Sequence, residues 1–330
     1  MQHLFFAGFL AVFAYSRLMG HHHHHHGHAQ GHSHGHHHHH VNVEDLSKKG
    51  ENRLWLAIAA NMLLTLAQVV GGLISGSLSL VADALHNFSD AAALILAAIA
   101  MRIGRKPADD IKTFGYKRAE TIAALINLTA LIMIGLYLMI EAVQRFYAPV
   151  EIEGMLVIWV AGLALIVDAG TAILVYTQSK NSMNMRAAFL HNLTDAAASV
   201  GVIIAGICIL YFGWFWMDAL MTLVIAGYVL WHGSFEIKQV IHLLMEGTPD
   251  HINIKDVIAA LEEEKDVQNV HHVHIWRLDE QRNALEAHVV IESHETMDDL
   301  KARLKARLRQ EFSIGHSTLE FEFKPCNECT

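Results

Sequence analysis

The chain predicts an α-helical membrane domain of six spans followed by a soluble α+β domain. Three observations carry that prediction. Of 330 residues, 53% are hydrophobic and only 17% charged, a balance met in multi-span proteins rather than soluble enzymes. The apolar residues gather into runs of about 20, the length that crosses a hydrocarbon core. All the long runs precede Lys238; beyond it the composition turns polar and takes on the periods of short helices and strands.

The spans follow in order. Leu54–Ser75 is the first and Leu78–Met101 the second; Ala119–Val143, Gly154–Tyr176, Ala187–Phe212 and Trp214–Trp231 complete the set. Trp55, Trp159, Trp214, Trp216 and Trp231 fall at or near span ends, where aromatic belts sit. Loop charge sets the orientation. Arg102, Arg105, Lys106, Lys112, Lys117 and Arg118 follow the second span; Lys48, Lys49 and Arg53 precede the first. Lys180 and Arg186 separate the fourth from the fifth, Lys238 follows the sixth, and the opposite loops hold only Arg145. Both termini are therefore expected in the cytoplasm. The net charge of -9 leaves no basic surplus for phosphate and argues against nucleic acid as a partner.

Ahead of the spans, residues 1–20 are apolar from Leu4 to Tyr15 but short for a crossing, and they lack a signal peptide's basic start and cleavage site. A membrane anchor and an over-extended reading frame with initiation at Met19 both fit. From His21 to His40 the chain is almost all histidine with Gly, Ser, Ala and Gln, a composition that binds metal and builds no core. His21–His26 has the form of a purification tag, but its irregular continuation, HGHAQGHSHGHHHHH, favours a natural tract. The expected layout is an N-terminal segment at 1–20, a His-rich cytoplasmic segment at 21–53, a six-helix membrane domain at 54–238 and a cytoplasmic C-terminal domain at 239–330.

The second span is where the chemistry starts. Its middle carries Asp83, His86, Asn87 and Asp90, although a charge at mid-membrane costs on the order of 3 kcal/mol. His86 and Asp90 lie four apart, on one helix face. The fifth span repeats the pattern in His191 and Asp195, and the wider match L-H-N-x-x-D-A-A covers both copies. One buried histidine is ordinarily satisfied by a neighbouring helix; two copies of one spacing on separate spans point to a four-ligand nitrogen and oxygen site suited to tetrahedral Zn2+. Asn61, Gln68, Asn127, Glu141 and Asp218 read as inter-helix hydrogen-bond partners. Asp168 reads either so or as part of an ion or proton path. Gly71, Gly72 and Gly76 permit close packing or a bend.

In the soluble part, Ile254–Lys265 and Met297–Phe312 have helical patterns, and Val270–Leu278, Leu285–Glu292 and Thr318–Phe323 alternate as strands. That order suggests a small ferredoxin-like α+β domain. His271, His272, His274, His288 and Glu322 are metal-binding residue types gathered on its strands. Cys326 and Cys329 add a terminal CxxC, a metal or thiol site rather than part of a disulfide framework, since the only other cysteine, Cys208, lies inside a span.

SGSLSLVADALHNFSD, FGYKRAETIAALIN and FLHNLTDAAASVGV, with VHHVHIW, EAHVVIE and HSTLEFE in the soluble part, resemble the cation diffusion facilitator family in its zinc-transporting branch, from about Leu54 to Phe323. The resemblance implies a homodimeric exporter in the bilayer that exchanges cytoplasmic Zn2+ for H+, with His86, Asp90, His191 and Asp195 as the transport site. It also implies regulatory zinc at His271 and His288 with Glu322, near a dimer interface. Cys326 and Cys329 match a CxxC that only some members carry. Such proteins commonly place a histidine-rich tract between the fourth and fifth spans; here that loop is TQSKNSMNMR and the histidines are N-terminal, which leaves the tract metal capture rather than gating.

Metal and protons compete for the same lone pairs, so four such ligands can release one on taking up the other. Mixed nitrogen and oxygen ligands favour Zn2+ over harder ions such as Mn2+, with Cd2+ and Co2+ also within reach. A membrane-anchored metal buffer or sensor is the rival reading, and it leaves the paired intramembrane ligands unexplained. A metalloprotease is not supported, because HExxH is absent and the nearest approach is HETMD at His294. Brief loops suit a bacterial inner membrane, with an organelle membrane of the same orientation the alternative.

Overall fold

The structure, a computed structural model, describes residues 48–179, 183–279, 282–293 and 297–324. The N-terminal segment, the histidine tract, Cys326 and Cys329 lie outside the described residues. Six long helices come first: α1 (Lys48–Ser75), α2 (Leu78–Gly104), α3 (Ala119–Tyr147), α4 (Gly154–Ser179), α5 (Met183–Phe212) and α6 (Trp216–Leu244). Of these, α2 to α6 are each long and apolar enough to cross a membrane, and α1 carries a shorter apolar stretch, Asn61–Ser75. Large apolar side chains such as Leu63, Trp159, Ile166 and Leu174 are exposed along the helices, as lipid-facing surfaces require.

α2 is the hub, in contact with α1, α3, α5 and α6, while α4 packs along α5 and α3 along α6. Close approach of α4 to α5 depends on glycine: a Cβ on Gly154 would stand 2.8 Å from the Gly206 carbonyl oxygen. The α1–α2 turn needs Gly76, whose φ is +75°, and Arg145 of α3 donates to its carbonyl at 2.7 Å. α6 runs well beyond Trp231, the end expected from hydropathy, because apolar composition marks the buried length and not the helical one.

A buried cluster that includes Leu80, Leu138, Ile152, Val157, Val202 and Ile225 fills one end of the bundle. These residues lie near the start of α2, α4 and α6 and toward the end of α3 and α5. The end bearing the α1–α2, α3–α4 and α5–α6 turns is therefore packed shut.

The soluble part contains α7 (Ile254–Glu262), β1 (Val267–Arg277), β2 (Asn283–Ile291), α8 (Met297–Phe312) and β3 (Ile314–Glu322). The sheet order is β1-β2-β3, with the first pair antiparallel and the second parallel. Among the described residues the element order is helix–strand–strand–helix–strand around one small sheet. Val257, Leu261, Leu285, Val289, Leu300, Leu304 and Leu308 form its core. β3 begins four residues earlier than its alternation predicts. The α2–α3 loop reaches this part: Arg118 pairs with Glu246 at 3.1 Å, Lys117 Nζ lies 3.8 Å from Asp279, and the Phe114 ring meets His316.

Candidate metal centres

Within the membrane part, the start of α2 is held before its ligands are reached. Ser77 caps the helix by accepting from the Leu80 N–H. Asp218 of α6 accepts from Ser77 Oγ at 2.6 Å, Leu78 N at 2.8 Å, Ser79 N at 3.2 Å and Ser79 Oγ at 2.6 Å. A carboxylate there satisfies backbone donors that the helix itself cannot and complements the helix dipole. Further along, Gln68 of α1 donates to Asp83 at 2.6 Å and accepts from Asn87 at 3.2 Å, three residues before His86 and one after it. On the other helix pair, Ser199 of α5 donates to Asp168 of α4 at 3.4 Å, one turn beyond Asp195.

These ties bring the two His-x-x-x-Asp pairs face to face. His191 Nε2 lies 3.1 Å from Asp90 Oδ2 and 3.5 Å from Asp195 Oδ2. His86 Nε2 lies 3.6 Å from Asp195 Oδ1 and 3.9 Å from Asp90 Oδ2. The two rings sit edge to face, with centroids 6.1 Å apart. Each histidine thus faces both carboxylates, its own and that of the other helix. His86 Nδ1 is buried without a hydrogen-bond partner, an atom left for something else to satisfy. The side chains of Asp90 and His191 are 33% and 36% exposed, whereas those of His86 and Asp195 are 15% and 8% exposed. Asp90 lies later in α2 and His191 earlier in α5, so the more exposed ligands are those on the side of the α2–α3 loop, away from the packed end.

The second centre lies on the sheet face opposite the helices. His271 of β1 stands in register with His288 of β2, and β3 places Glu320 beside His288 and Glu322 beside Val290. His288 Nδ1 is 2.7 Å from Glu322 Oε1, and His271 Nε2 is 3.4 Å from Glu322 Oε2. One ligand atom from each of His271, His288 and Glu322 lies within 4.8 Å of the others, and all three residues are half-buried. Two imidazoles and a carboxylate fit a zinc ion that keeps a fourth position for water or another residue.

Strict alternation would send His272 to the opposite face from His271. A bulge between His271 and His274, with His272 at φ 50°, instead brings its ring within 4.8 Å of the His288 ring and 4.6 Å of the His274 ring. The spacing of the histidines carries no sign of that bulge, so sequence reasoning misses it. It also misses the partner of Asp218, which is 141 residues away.

Comparison with known proteins bears on the same residues. The family model described as the cation efflux transmembrane domain matches residues 54–245, and that described as the cation efflux protein, cytoplasmic domain, matches 249–323. The cadmium, cobalt and zinc/H(+)-K(+) antiporter of Bacillus velezensis is 38% identical over 280 residues, 83% of this chain and 89% of its own. The zinc transporter ZitB of Pectobacterium atrosepticum is 37% identical over 84% of this chain and 87% of its own. The metal cation efflux system protein CzcD of Cupriavidus metallidurans is 33% identical over 84% of this chain and 88% of its own.

Proposed function

The chain belongs to the cation efflux family, whose members are multi-pass membrane transporters and not enzymes, and from that premise we propose that it exports Zn2+ from the cytoplasm in exchange for protons. The transport site is His86, Asp90, His191 and Asp195, reached by alternating access within a homodimer of six-span protomers. The observation that carries this reading is the meeting of two His-x-x-x-Asp pairs from α2 and α5, every His–Asp separation lying between 3.1 and 3.9 Å. Two carboxylates balance the charge of Zn2+ where the dielectric is low, and two neutral imidazoles select a borderline ion. The four side chains take protons when the metal leaves, because both compete for the same lone pairs.

The side of opening supports the direction. Asp90 and His191 are the more exposed ligands, on the side of the basic 102–118 loop that the positive-inside rule puts in the cytoplasm. The site is thus loaded from within while the apolar cluster seals the other end. The membrane is a bacterial inner membrane. In the cytoplasmic domain, of ferredoxin-like type, zinc at His271, His288 and Glu322 draws two protomers together and biases the membrane half.

Cd2+ and Co2+ are the further substrates to test, since one relative's name includes both. The deciding experiment is Zn2+ uptake into sealed proteoliposomes under an imposed pH gradient, with wild type, Asp90→Ala and Asp195→Ala. Gradient-dependent flux lost in both variants supports antiport through this site. Zinc binding without flux in the wild type moves the function to a membrane-anchored buffer or sensor.

A further inference from the structure

The His-x-x-x-acid pair occurs a third time, in α6. His232 Nδ1 lies 3.4 Å from Glu236 Oε1, a within-helix separation close to the 3.5 Å of His191–Asp195 and the 3.9 Å of His86–Asp90. His232, at 54% exposed, is more open than any of those four side chains, and Glu236 is 26% exposed. It begins one residue after Trp231, where the apolar run of α6 ends.

Tyr228 connects it to the membrane centre. Tyr228 lies one turn nearer the start of α6, and its ring stands 6.0 Å from that of His232. Tyr228, His232 and Glu236 are four residues apart in turn, about 6 Å per step along one face of α6. That helix packs against both α2 and α5, which carry the transport ligands. The face leads from the membrane surface to the centre on the side where Asp90 and His191 are exposed.

We propose that His232 and Glu236 form a loading site on α6 that takes a borderline divalent cation (Zn2+, Co2+ or Cd2+) from the cytoplasm and passes it along Tyr228 to the transport site. One imidazole and one carboxylate hold such an ion through two ligands and leave the rest of its shell to water. Two ligands strip part of the hydration, and they let go easily, which suits a site of passage. The pair also raises the local cation concentration at the mouth through the Glu236 charge. This inference rests on the proposed transport reading.

The simpler account is that His232 and Glu236 are a helix-stabilising ion pair and nothing more. His232→Lys separates the two, because a lysine keeps or strengthens the pair with Glu236 but repels the cation. The experiment measures initial Zn2+ uptake against free Zn2+ in proteoliposomes containing the full-length protein: wild type, His232→Ala, His232→Lys, Glu236→Gln and the double variant His232→Ala/Glu236→Gln. The expected result is a KM raised about three- to tenfold in each single variant. The double variant should be little worse than either single, since both ligands serve one ion, and His232→Lys at least as impaired as His232→Ala. A wild-type KM in His232→Ala, or its recovery in His232→Lys, overturns the loading site. Asp90→Ala in the same series keeps the two proposals apart. If it abolishes flux while His232→Ala leaves KM unchanged, only the loading site falls; if flux survives Asp90→Ala, the transport site falls with it.

Discussion

Asp218→Ala should unlock the start of α2 and disable the transport site from a distance. The Asp218 carboxylate is buried, 1% exposed, and receives two backbone N–H groups and two serine hydroxyls. The hydroxyls have an alternative, since Ser77 Oγ and Ser79 Oγ are 3.3 Å apart and can pair with each other. The Leu78 and Ser79 amides have none in the helix, and each buried donor left unmet costs about 1–3 kcal/mol. Loss of the anion at the helix N-terminus adds roughly 0.3–1 kcal/mol. Together these give about 2–7 kcal/mol, enough to lower the midpoint of thermal unfolding of a chain of this length by about 3–10 °C. The assay is thermal unfolding in detergent, read as loss of the monodisperse peak, alongside Zn2+ flux from the same preparation. Ser79→Ala should cost about 1–2 kcal/mol, because the carboxylate keeps three donors, and its effect should not add to that of Asp218→Ala. An Asp218→Ala protein that melts within about 2 °C of wild type and transports normally would refute the reasoning, and with it the claim that α6 fixes the register of α2.

Three other outcomes are expected. His86→Asp replaces one nitrogen ligand by oxygen and should widen the metal range toward harder ions; competition uptake of Zn2+ against Cd2+ and Mn2+ measures it, and an unchanged preference argues against selection by the imidazole. In the α2–α3 loop, the Tyr116 hydroxyl and the Lys112 and Ile111 amides hold the Asp109 carboxyl below its ordinary range, while the same bond raises the Tyr116 phenol. A depressed carboxyl stabilises the turn above the unfolded pKa and loses that contribution as pH falls through the folded one; the protection of the Lys112 amide, its exchange relative to the intrinsic rate at each pH, should therefore fall in acid, and Asp109→Asn should remove that pH dependence of protection. His271→Ala/His288→Ala should remove the zinc dependence of both dimer compaction and flux, followed by scattering and uptake across a Zn2+ titration; if both persist, these histidines are strand-surface residues only.

What could be read from the residues was what is local. The paired ligands stand out because a spacing of four is a helix turn, and a charge inside an apolar run needs no partner to be conspicuous. Met297–Phe312 has the bounds its 3.6-residue period predicts, ending at Ser313, whose φ is 56°. What could not be read depends on distant pairing. Nothing near Asp218 names Ser77 and Ser79 as its donors, and Glu322 is joined to His288 by the family resemblance rather than by spacing. The bulge at His272 is a further case, since a positive φ at a histidine is a strain that only the assembled sheet imposes. α6 outruns its apolar stretch because helix and span are stopped by different things, the one by Gly247 and Pro249 and the other by water.

The acids inside the helices show why composition alone could not assign their roles. An intramembrane carboxylate is costly whatever it does, so its presence signals importance without saying of which kind. The donors it meets make the distinction. Asp218 faces hydroxyls and backbone amides that are fixed in place, and Asp83 faces the amide of Gln68, which is itself engaged by Asn87. Such donors hold a carboxylate still. Asp90 and Asp195 face imidazoles from two helices, groups that bind a metal with the same nitrogens. Their contacts can be exchanged for an ion and restored when it leaves. The buried polar residues of α2 therefore divide within two turns of each other. Asp83 and Asn87 fasten the helix to α1, and His86 and Asp90, on the same helix, are left for the exchange proposed above. On the proposed reading, that division lets one helix be both the anchored hub of the bundle and half of a site that must let its ligand go.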